Sequence, residues 1–217
     1  MQTFAASLST PVSVYPLDVT DTAALAAAAQ DFMLHHGVPD IVIANAGISA
    51  GTRADLGADI AVLSRILHTN VVGLAATLQP FVAPMRERGN GVLAGIASVA
   101  GFRGRAGAGA YCASKSAAIT WLEALRLELH SSGVAVVTIC PGYVATPLTA
   151  GNRHRLPFLL DAPQAARRIA RAIAAKKRLA IMPWQMRMVF FVLRRMPNWL
   201  YDRLFARAPR KARDRPD

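Results

Sequence analysis

The 217-residue sequence contains only two cysteines, Cys112 and Cys140. Two thiols cannot form the disulfide framework of a small secreted domain, and without a C-x-x-C pair they do not indicate a zinc site. Residues 1–15 lack the basic start and the long apolar run of a secretory signal. The longest apolar runs are shorter than the ~20 residues that span a bilayer. These absences favour a reducing compartment, and we expect a cytoplasmic location.

Acidic residues are also scarce, since 13 Asp and Glu stand against 25 Lys and Arg and give a net charge of +12. Residues 1–152 carry eight basic and nine acidic residues, whereas residues 153–217 carry 17 basic and four acidic residues. A basic C-terminal third is compatible with a solvated helix and tail, or with peripheral attachment to an acidic membrane surface. We expect no nucleic-acid partner, because the excess charge is confined to this end.

Buried strands alternate with helices along the rest of the chain. Continuous apolar runs predict strands at 12–17, 40–44, 91–97, 134–140 and 179–182. Helical patterns cover 22–36, 59–88, 110–130 and 163–175. This order predicts an α/β fold, with a doubly wound, mostly parallel Rossmann-type sheet. We place one domain at residues 1–182 and a basic amphipathic helix and tail at residues 183–217.

Tyr111 and Lys115 stand one helical turn apart, so their side chains share a face of the predicted helix. Ser98 lies thirteen residues before Tyr111, at the carboxyl end of a predicted strand, where open α/β sheets bind ligands. An ammonium near a phenol lowers its pKa toward the range useful for acid–base catalysis. A hydroxyl beside them could donate to a carbonyl oxygen as charge develops. A Tyr/Lys pair by itself is usually an ordinary surface pair.

The surroundings of this pair make the pattern specific. Five segments occur in a fixed order: Asn45-Ala46-Gly47, Asn70, Ser98, Tyr111-Cys-Ala-Ser-Lys115 and Pro141-Gly142-Tyr-Val-Ala-Thr146. This series, together with Asp18-Val19-Thr20, resembles the short-chain dehydrogenase/reductase family from about residue 12 to residue 175. The resemblance implies a hydride-transferring enzyme that uses NAD or NADP.

The resemblance also implies a role for each matching residue. Tyr111 would be the acid/base, Lys115 would lower its pKa and bind the nicotinamide ribose, and Ser98 would polarise the substrate oxygen. Asn70, at a local break in its helix, would hold a water that links Lys115 to solvent. The implied cofactor contacts are Asp18 near the adenine, Asn45, Ala46 and Gly47 beneath the cofactor, Tyr111 and Lys115, and Pro141, Gly142, Val144 and Thr146 at the nicotinamide end.

The sequence departs from the family before Asp18, where the T-G-x-x-x-G-x-G turn that receives the pyrophosphate is absent. The glycine-rich stretch 104–109 precedes the Tyr111 helix instead, and we interpret it as an active-site loop. We therefore expect a sheet that lacks its first strand–helix–strand unit. Three explanations stay open: a start site further upstream, a truncated inactive relative, and a partner that completes the sheet. Because this unit carries the residues that discriminate NAD from NADP, the sequence does not indicate which of the two coenzymes is preferred.

Residues 186–205 combine apolar and aromatic side chains with arginines. Three interpretations remain open: a core-covering helix with a basic outer face, a lid over an apolar ligand, and an amphipathic helix at a membrane interface. We expect interconversion of a carbonyl and an alcohol, on an apolar substrate, by a homo-oligomer. The alternative is a truncated, non-catalytic relative that acts through a partner or a membrane surface.

Overall fold

The computed structural model describes residues 7, 9–150 and 157–207. Their strands form one parallel sheet whose spatial order follows the chain: β1 (Ile41–Ala44), β2 (Gly91–Ile96), β3 (Val134–Pro141) and β4 (Leu179–Met182). The register places Val92 opposite Ile41 and Ala135, and Thr138 opposite Leu179. The predicted parallel sheet is therefore confirmed. All carboxyl ends of its strands meet at one edge.

Helices connect the strands, with bounds close to those predicted from the sequence. They are α1 (Thr22–His36), α2 (Asp59–Leu67), α3 (Gly73–Arg88), α4 (Gly109–Glu128), α5 (Pro147–Ala150), α6 (Ala162–Ala174), α7 (Trp184–Arg195) and α8 (Asn198–Phe205). A π-helical turn (His68–Val72) joins α2 to α3, and a 3-10 turn (Val99–Phe102) follows β2. The local break predicted at Asn70 is this π-helical turn.

Capping residues mark the ends of helices α1 and α6. The carboxylate of Asp21 accepts the backbone N–H of Ala24 at 2.9 Å and caps α1, which ends at Gly37 with a φ of 75°. Asp161 caps α6 in the same way, by accepting the N–H of Gln164. These caps explain why the bounds of both helices were readable from the sequence.

Apolar side chains project from both faces of the sheet. On one face, Val42, Leu93 and Val136 pack with residues of α3 and α4 in the main core cluster. On the other face, Val92 and Val137 pack with residues of α6. Because neighbouring residues of a strand point to opposite faces, a strand covered on both sides must be apolar throughout. The doubly wound arrangement is therefore confirmed.

The strand predicted at 12–17 is wrong. These residues form no strand, and β1 has β2 as its single strand neighbour in the described part of the chain. Side chains tie the segment to α1 instead, since the Tyr15 hydroxyl donates to Asp31 at 2.7 Å and Ser13 bonds His36 at 2.9 Å. A β-rich run forms a strand only where a ladder partner is available, and none lies beside this one.

The C-terminal segment also differs from the prediction of one helix. The segment breaks at Met196 and Pro197 into α7 and α8, because proline has no N–H to continue the first helix. We call the two helices the C-terminal hairpin (184–205). The hairpin packs against β4 and the 3-10 turn through α7. The division into two domains at residue 182 stays a prediction.

One described helical stretch, Asp59–Arg88, is long and apolar enough to cross a membrane by length and composition alone. Leu74, Leu78, Phe81 and Met85 of this stretch are buried against the domain core, and Asn70 is fully buried. These buried apolar residues of the stretch therefore pack in the domain core.

Candidate active site

A cavity of about 840 Å³ lies at the carboxyl edge of the sheet. The loops that follow β1, β2 and β3, the first turns of α4, and the C-terminal hairpin surround it. Nine of the sequence-predicted residues line this cavity: Asn45, Gly47, Ser98, Tyr111, Lys115, Pro141, Gly142, Val144 and Thr146. The fold thus brings together residues that span a hundred positions of the chain.

Ser98 follows β2 and begins the 3-10 turn. Its side-chain oxygen accepts the backbone N–H of Ala100 at 3.1 Å, which caps the turn and fixes the rotamer. The side chain is buried, and its hydroxyl also forms a hydrogen bond with Tyr111. Ser98 is therefore held at the cavity wall, next to the phenol.

Tyr111 lies in the first turn of α4. Burial raises the pKa of its phenol above the usual 10.0, and the hydrogen bond with Ser98 opposes this shift. The sequence-based expectation that Lys115 lowers this pKa is wrong for this structure. The Lys115 ammonium lies 5.9 Å from the centroid of the phenol ring and bonds elsewhere, so desolvation dominates.

Lys115 stands one turn further along α4 and is almost completely buried. Its ammonium donates to the backbone carbonyl of Ile96 at 2.8 Å, at the end of β2. Burial lowers the pKa of Lys115 to about 8, with no carboxylate among the described residues to stabilise the charge. Two of its three N–H groups have no acceptor within the described ranges. Keeping the Lys115 ammonium charged in this buried position therefore costs folding free energy.

Asn70 lies behind the cavity wall. Its amide donates to the Ile48 carbonyl and to the Ser114 hydroxyl, each at 2.9 Å, and its carbonyl accepts the Ile48 N–H at 2.8 Å. Ser114 in turn donates to the Tyr111 carbonyl at 2.8 Å. Asn70 therefore ties the loop after β1 to the first turn of α4. Its role in a proton relay stays a prediction.

Two glycines allow elements to approach Lys115 closely. A Cβ at Gly47 would lie 3.2 Å from the Asn70 side-chain oxygen and 3.4 Å from the Lys115 nitrogen. A Cβ at Gly101 would lie 2.6 Å from the Lys115 backbone carbon. The 3-10 turn can rest on α4 only because residue 101 has no side chain.

The remaining sequence-predicted residues lie outside the cavity lining. Ala46 is exposed between two lining residues. Asp18 is exposed, and hydrogen bonds from the backbone and hydroxyl of Thr20 lower the pKa of its carboxyl. The segment around Asp18 contacts α3, since a Cβ at Gly73 would lie only 3.0 Å from the side chain and the backbone oxygen of Val19. The adenine contact of Asp18 stays a prediction.

Neither cysteine is a candidate nucleophile, although Cys112 lines the cavity. Burial raises the pKa of the Cys112 thiol above its ordinary value and that of Cys140 to about 12. A buried, protonated thiol is a poor nucleophile. The interpretation of both residues as small buried side chains is confirmed by their burial.

The C-terminal hairpin forms a wall of the cavity, as the lid interpretation predicts. Its lining residues are Met186, Val189, Phe190, Leu193, Tyr201 and Phe205. The rings of Phe190 and Phe102 are in contact, with centroids 3.9 Å apart. Apolar surface therefore faces the catalytic candidates across the cavity.

Arg103 fastens this hairpin to the loop after Ser98, and the sequence analysis did not single it out. Its guanidinium donates to the carbonyls of Leu193 and Met196 at 2.5 and 2.7 Å, and to the Asn198 side chain at 2.8 Å. It also lies 4.2 Å from the ring centroid of Tyr201. The carbonyls it binds are those left free where α7 ends. No local sequence pattern pairs Arg103 with residues 90 to 95 positions further along the chain.

We expect Arg103→Ala to loosen the hairpin. The change removes three charge-assisted hydrogen bonds and a cation–π contact, and should lower the free energy of unfolding by about 2 kcal/mol. Tryptic cleavage after Arg194 and Arg195 should become faster. The matched control is Arg167→Ala on the exposed face of α6, which should leave both quantities unchanged. Parent-like stability and cleavage in Arg103→Ala would contradict this role.

Comparisons with known proteins agree with the sequence motifs and the fold. The family model for short chain dehydrogenases matches residues 1–157. An uncharacterized oxidoreductase of Myxococcus xanthus is 38% identical over 193 residues, which cover 88% of this chain and 76% of that protein. The ketoacyl reductase HetN of Nostoc sp. is 38% identical over 146 residues, 66% of this chain and 50% of HetN.

A solved structure shows the same fold. It is a short chain dehydrogenase from Burkholderia cenocepacia in complex with NADP, with a TM-score of 0.75 and 20% sequence identity. The match covers 88% of this chain and 80% of that chain. Sequence motifs, family match and fold lead to one conclusion: this chain is an oxidoreductase of the short-chain dehydrogenase family, whose members use NAD or NADP.

Proposed function

We propose that this chain interconverts a carbonyl and an alcohol, with Tyr111 as the acid/base. The observation that carries the proposal is that Ser98, Tyr111 and Lys115 line one cavity, with Ser98 hydrogen-bonded to the phenol. In reduction, the carbonyl carbon receives a hydride and its oxygen receives the Tyr111 proton. In oxidation, the phenolate takes the alcohol proton as the hydride leaves. Ser98 donates to the same oxygen and stabilises its developing charge.

The residues around the cavity fit a nicotinamide cofactor. The unpartnered N–H groups of Lys115 suit ribose hydroxyls, and Gly47 leaves room beside them. Pro141, Gly142, Val144 and Thr146 line the wall on which a nicotinamide ring would rest. The cofactor supplies the hydride or accepts it, and the protein supplies geometry and the proton.

Lys115 and Asn70 would serve the proton supply. The backbone around Asn70 would hold a water through which Lys115 exchanges protons with solvent. Asn70 also fixes the loop that carries Gly47 relative to α4, so it is a positioning residue in this account.

The substrate is proposed to be apolar. Six side chains of the C-terminal hairpin, five of them apolar, face the cavity together with Phe102 and Val144. A sugar bound against these apolar side chains would leave hydroxyls without partners on that wall, at a cost of about 1–3 kcal/mol for each buried group. A lipid-derived, steroid-like or aromatic ketone would instead gain free energy from burial.

The proposal is tested by deuteride transfer from 4-deuterated NADH and NADPH to a panel of aromatic, steroid and long-chain ketones, with ketose sugars as the comparison. Mass spectrometry of the alcohols should place deuterium on the carbinol carbon of the apolar ketones. Transfer that favours the sugars would contradict the apolar preference. Transfer that persists at the parent rate in Ser98→Ala would contradict the role of the hydroxyl.

A non-catalytic role is the alternative function. It is not favoured, because Ser98, Tyr111 and Lys115 line one cavity and Asn70 lies behind its wall. The same panel separates the two readings, since a non-catalytic relative would transfer no deuteride to any ketone.

Self-association is a further part of the proposal. We place the contact between subunits at Ile60, Val72 and Leu127, which the helical stretch Asp59–Arg88 and helix α4 expose. The apolar stripe of Leu122, Leu125 and Leu129, in contrast, is buried in the core of a single chain. We expect light scattering to give at least a dimer, and Ile60→Ser with Leu127→Ser to shift the mass toward the monomer.

A further inference from the structure

The C-terminal hairpin has a second apolar face, turned away from the cavity. Trp184, Met188, Val192, Trp199 and Leu204 are each between 57% and 69% exposed. Trp184, Met188 and Val192 follow one another at intervals of four residues, so they form a row on the outside of α7. The inner row of the same helix, which includes Met186 and Phe190, is buried at the cavity wall. Packing against the domain therefore accounts for the apolar residues on only one side of α7.

Positive charge surrounds the exposed row. Residues 184–207 contain five arginines and a single acidic residue, Asp202. Arg187, Arg194 and Arg195 are all exposed on α7. The guanidinium of Arg195 lies 5.5 Å from the ring centroid of Phe191, another exposed residue. Cations thus lie directly beside the aromatic and aliphatic side chains.

We propose that this outer face docks onto a bilayer surface that contains acidic phospholipids. Aromatic rings and aliphatic side chains suit the boundary between headgroups and acyl chains, and arginines suit the phosphates above it. A second copy of this chain is a poorer occupant, because face-to-face contact would bring two sets of five arginines together. The helix that touches the membrane would also be the helix that lines the cavity.

The test is flotation of the purified full chain with vesicles of phosphatidylcholine alone and of phosphatidylcholine with an equal part of phosphatidylglycerol. The parent protein should float with the acidic vesicles and much less with the neutral ones. Quenching of tryptophan fluorescence by brominated lipids gives a second readout that needs no variant. A parent protein that stays in the buffer with both vesicles would overturn the proposal.

The apolar row is tested by combining Trp184→Ser, Met188→Ser and Val192→Ser. This variant should lose at least about tenfold in partitioning to acidic vesicles, because three exposed apolar side chains no longer enter the interface. The matched control combines Val12→Ser, Leu34→Ser and Leu159→Ser, which changes three exposed apolar residues outside the C-terminal hairpin and outside the surface proposed for self-association. Circular dichroism should show that both variants fold. Equal partitioning by the two variants would overturn the assignment of the face.

The charge is tested by combining Arg187→Gln, Arg194→Gln and Arg195→Gln. Partitioning to acidic vesicles should fall by about 100-fold. The control combines Arg167→Gln, Arg168→Gln and Arg171→Gln on exposed positions of α6, with the same change in net charge and an expected loss below about threefold. Equal losses would indicate a non-specific effect of net charge. A parent that fails to float but loses self-association in the apolar variant would assign the face to a second copy instead.

Discussion

The Tyr111→Phe variant is expected to lose about 10³-fold in kcat, while its dissociation constant for NADH or NADPH changes by less than about threefold. The change removes the proton that the phenol gives to the substrate oxygen and leaves the ring in place. The phenol lines the cavity and is hydrogen-bonded to Ser98, and a phenyl ring at this position has no proton to donate. Cofactor binding is nearly kept because the other lining residues are unchanged.

The matched control is Tyr15→Phe, which removes the same atom from a tyrosine outside the cavity lining. The Tyr15 hydroxyl bonds Asp31 on α1 and has no part in the proposed chemistry. Steady-state rates and titration of reduced cofactor by fluorescence check both variants. A Tyr111→Phe variant with ordinary kcat would remove Tyr111 from the acid/base role.

Lys115→Met is expected to abolish turnover and to raise the free energy of unfolding by about 2 kcal/mol at pH 7. Holding the buried ammonium of Lys115, with its pKa lowered from 10.5 to about 8, costs about 3 kcal/mol. Loss of the hydrogen bond to Ile96 offsets about 1 kcal/mol of the gain. A catalytic site that destabilises its own fold is a recognised compromise between stability and activity.

The stability gained by Lys115→Met should depend on pH. Between pH 8 and 10.5 the unfolded chain binds more protons at residue 115 than the folded chain does, so the stability of the parent rises with pH in this window. The advantage of Lys115→Met should therefore be full below pH 8 and shrink toward pH 10.5. Urea unfolding across this range measures it, with exposed Lys177→Met as the control. A gain that is constant with pH, or a loss of stability at pH 7, would contradict the cost of this charge.

Much of the architecture was predictable because its signals are local. Asp21 and Gly37 mark the ends of α1, and the continuous apolar runs of β2 and β3 identify strands covered on both faces. The rule that parallel strands end at one edge then places Ser98 near Tyr111. The position of the cavity follows from sequence order and sheet geometry, without any long-range information.

The features that sequence reasoning missed depend on contacts between distant residues. The run at 12–17 has strand propensity, but propensity does not supply a ladder partner. The Tyr111 pKa is set by burial, which no spacing of Tyr and Lys reveals. Arg103 acts on backbone carbonyls of Leu193 and Met196, which carry no residue signature. The break of the C-terminal hairpin did have a local signal in Pro197.

The central claim is that Ser98 and Tyr111 act on the same oxygen as one proton-transfer unit. A double-mutant cycle of Ser98→Ala and Tyr111→Phe on kcat tests it, because residues that act as a unit give non-additive losses. The account predicts that the double variant is no more than about threefold slower than Tyr111→Phe alone. Losses that multiply, with the double variant slower by the product of both single effects, would show that the two hydroxyls act independently and would contradict the account.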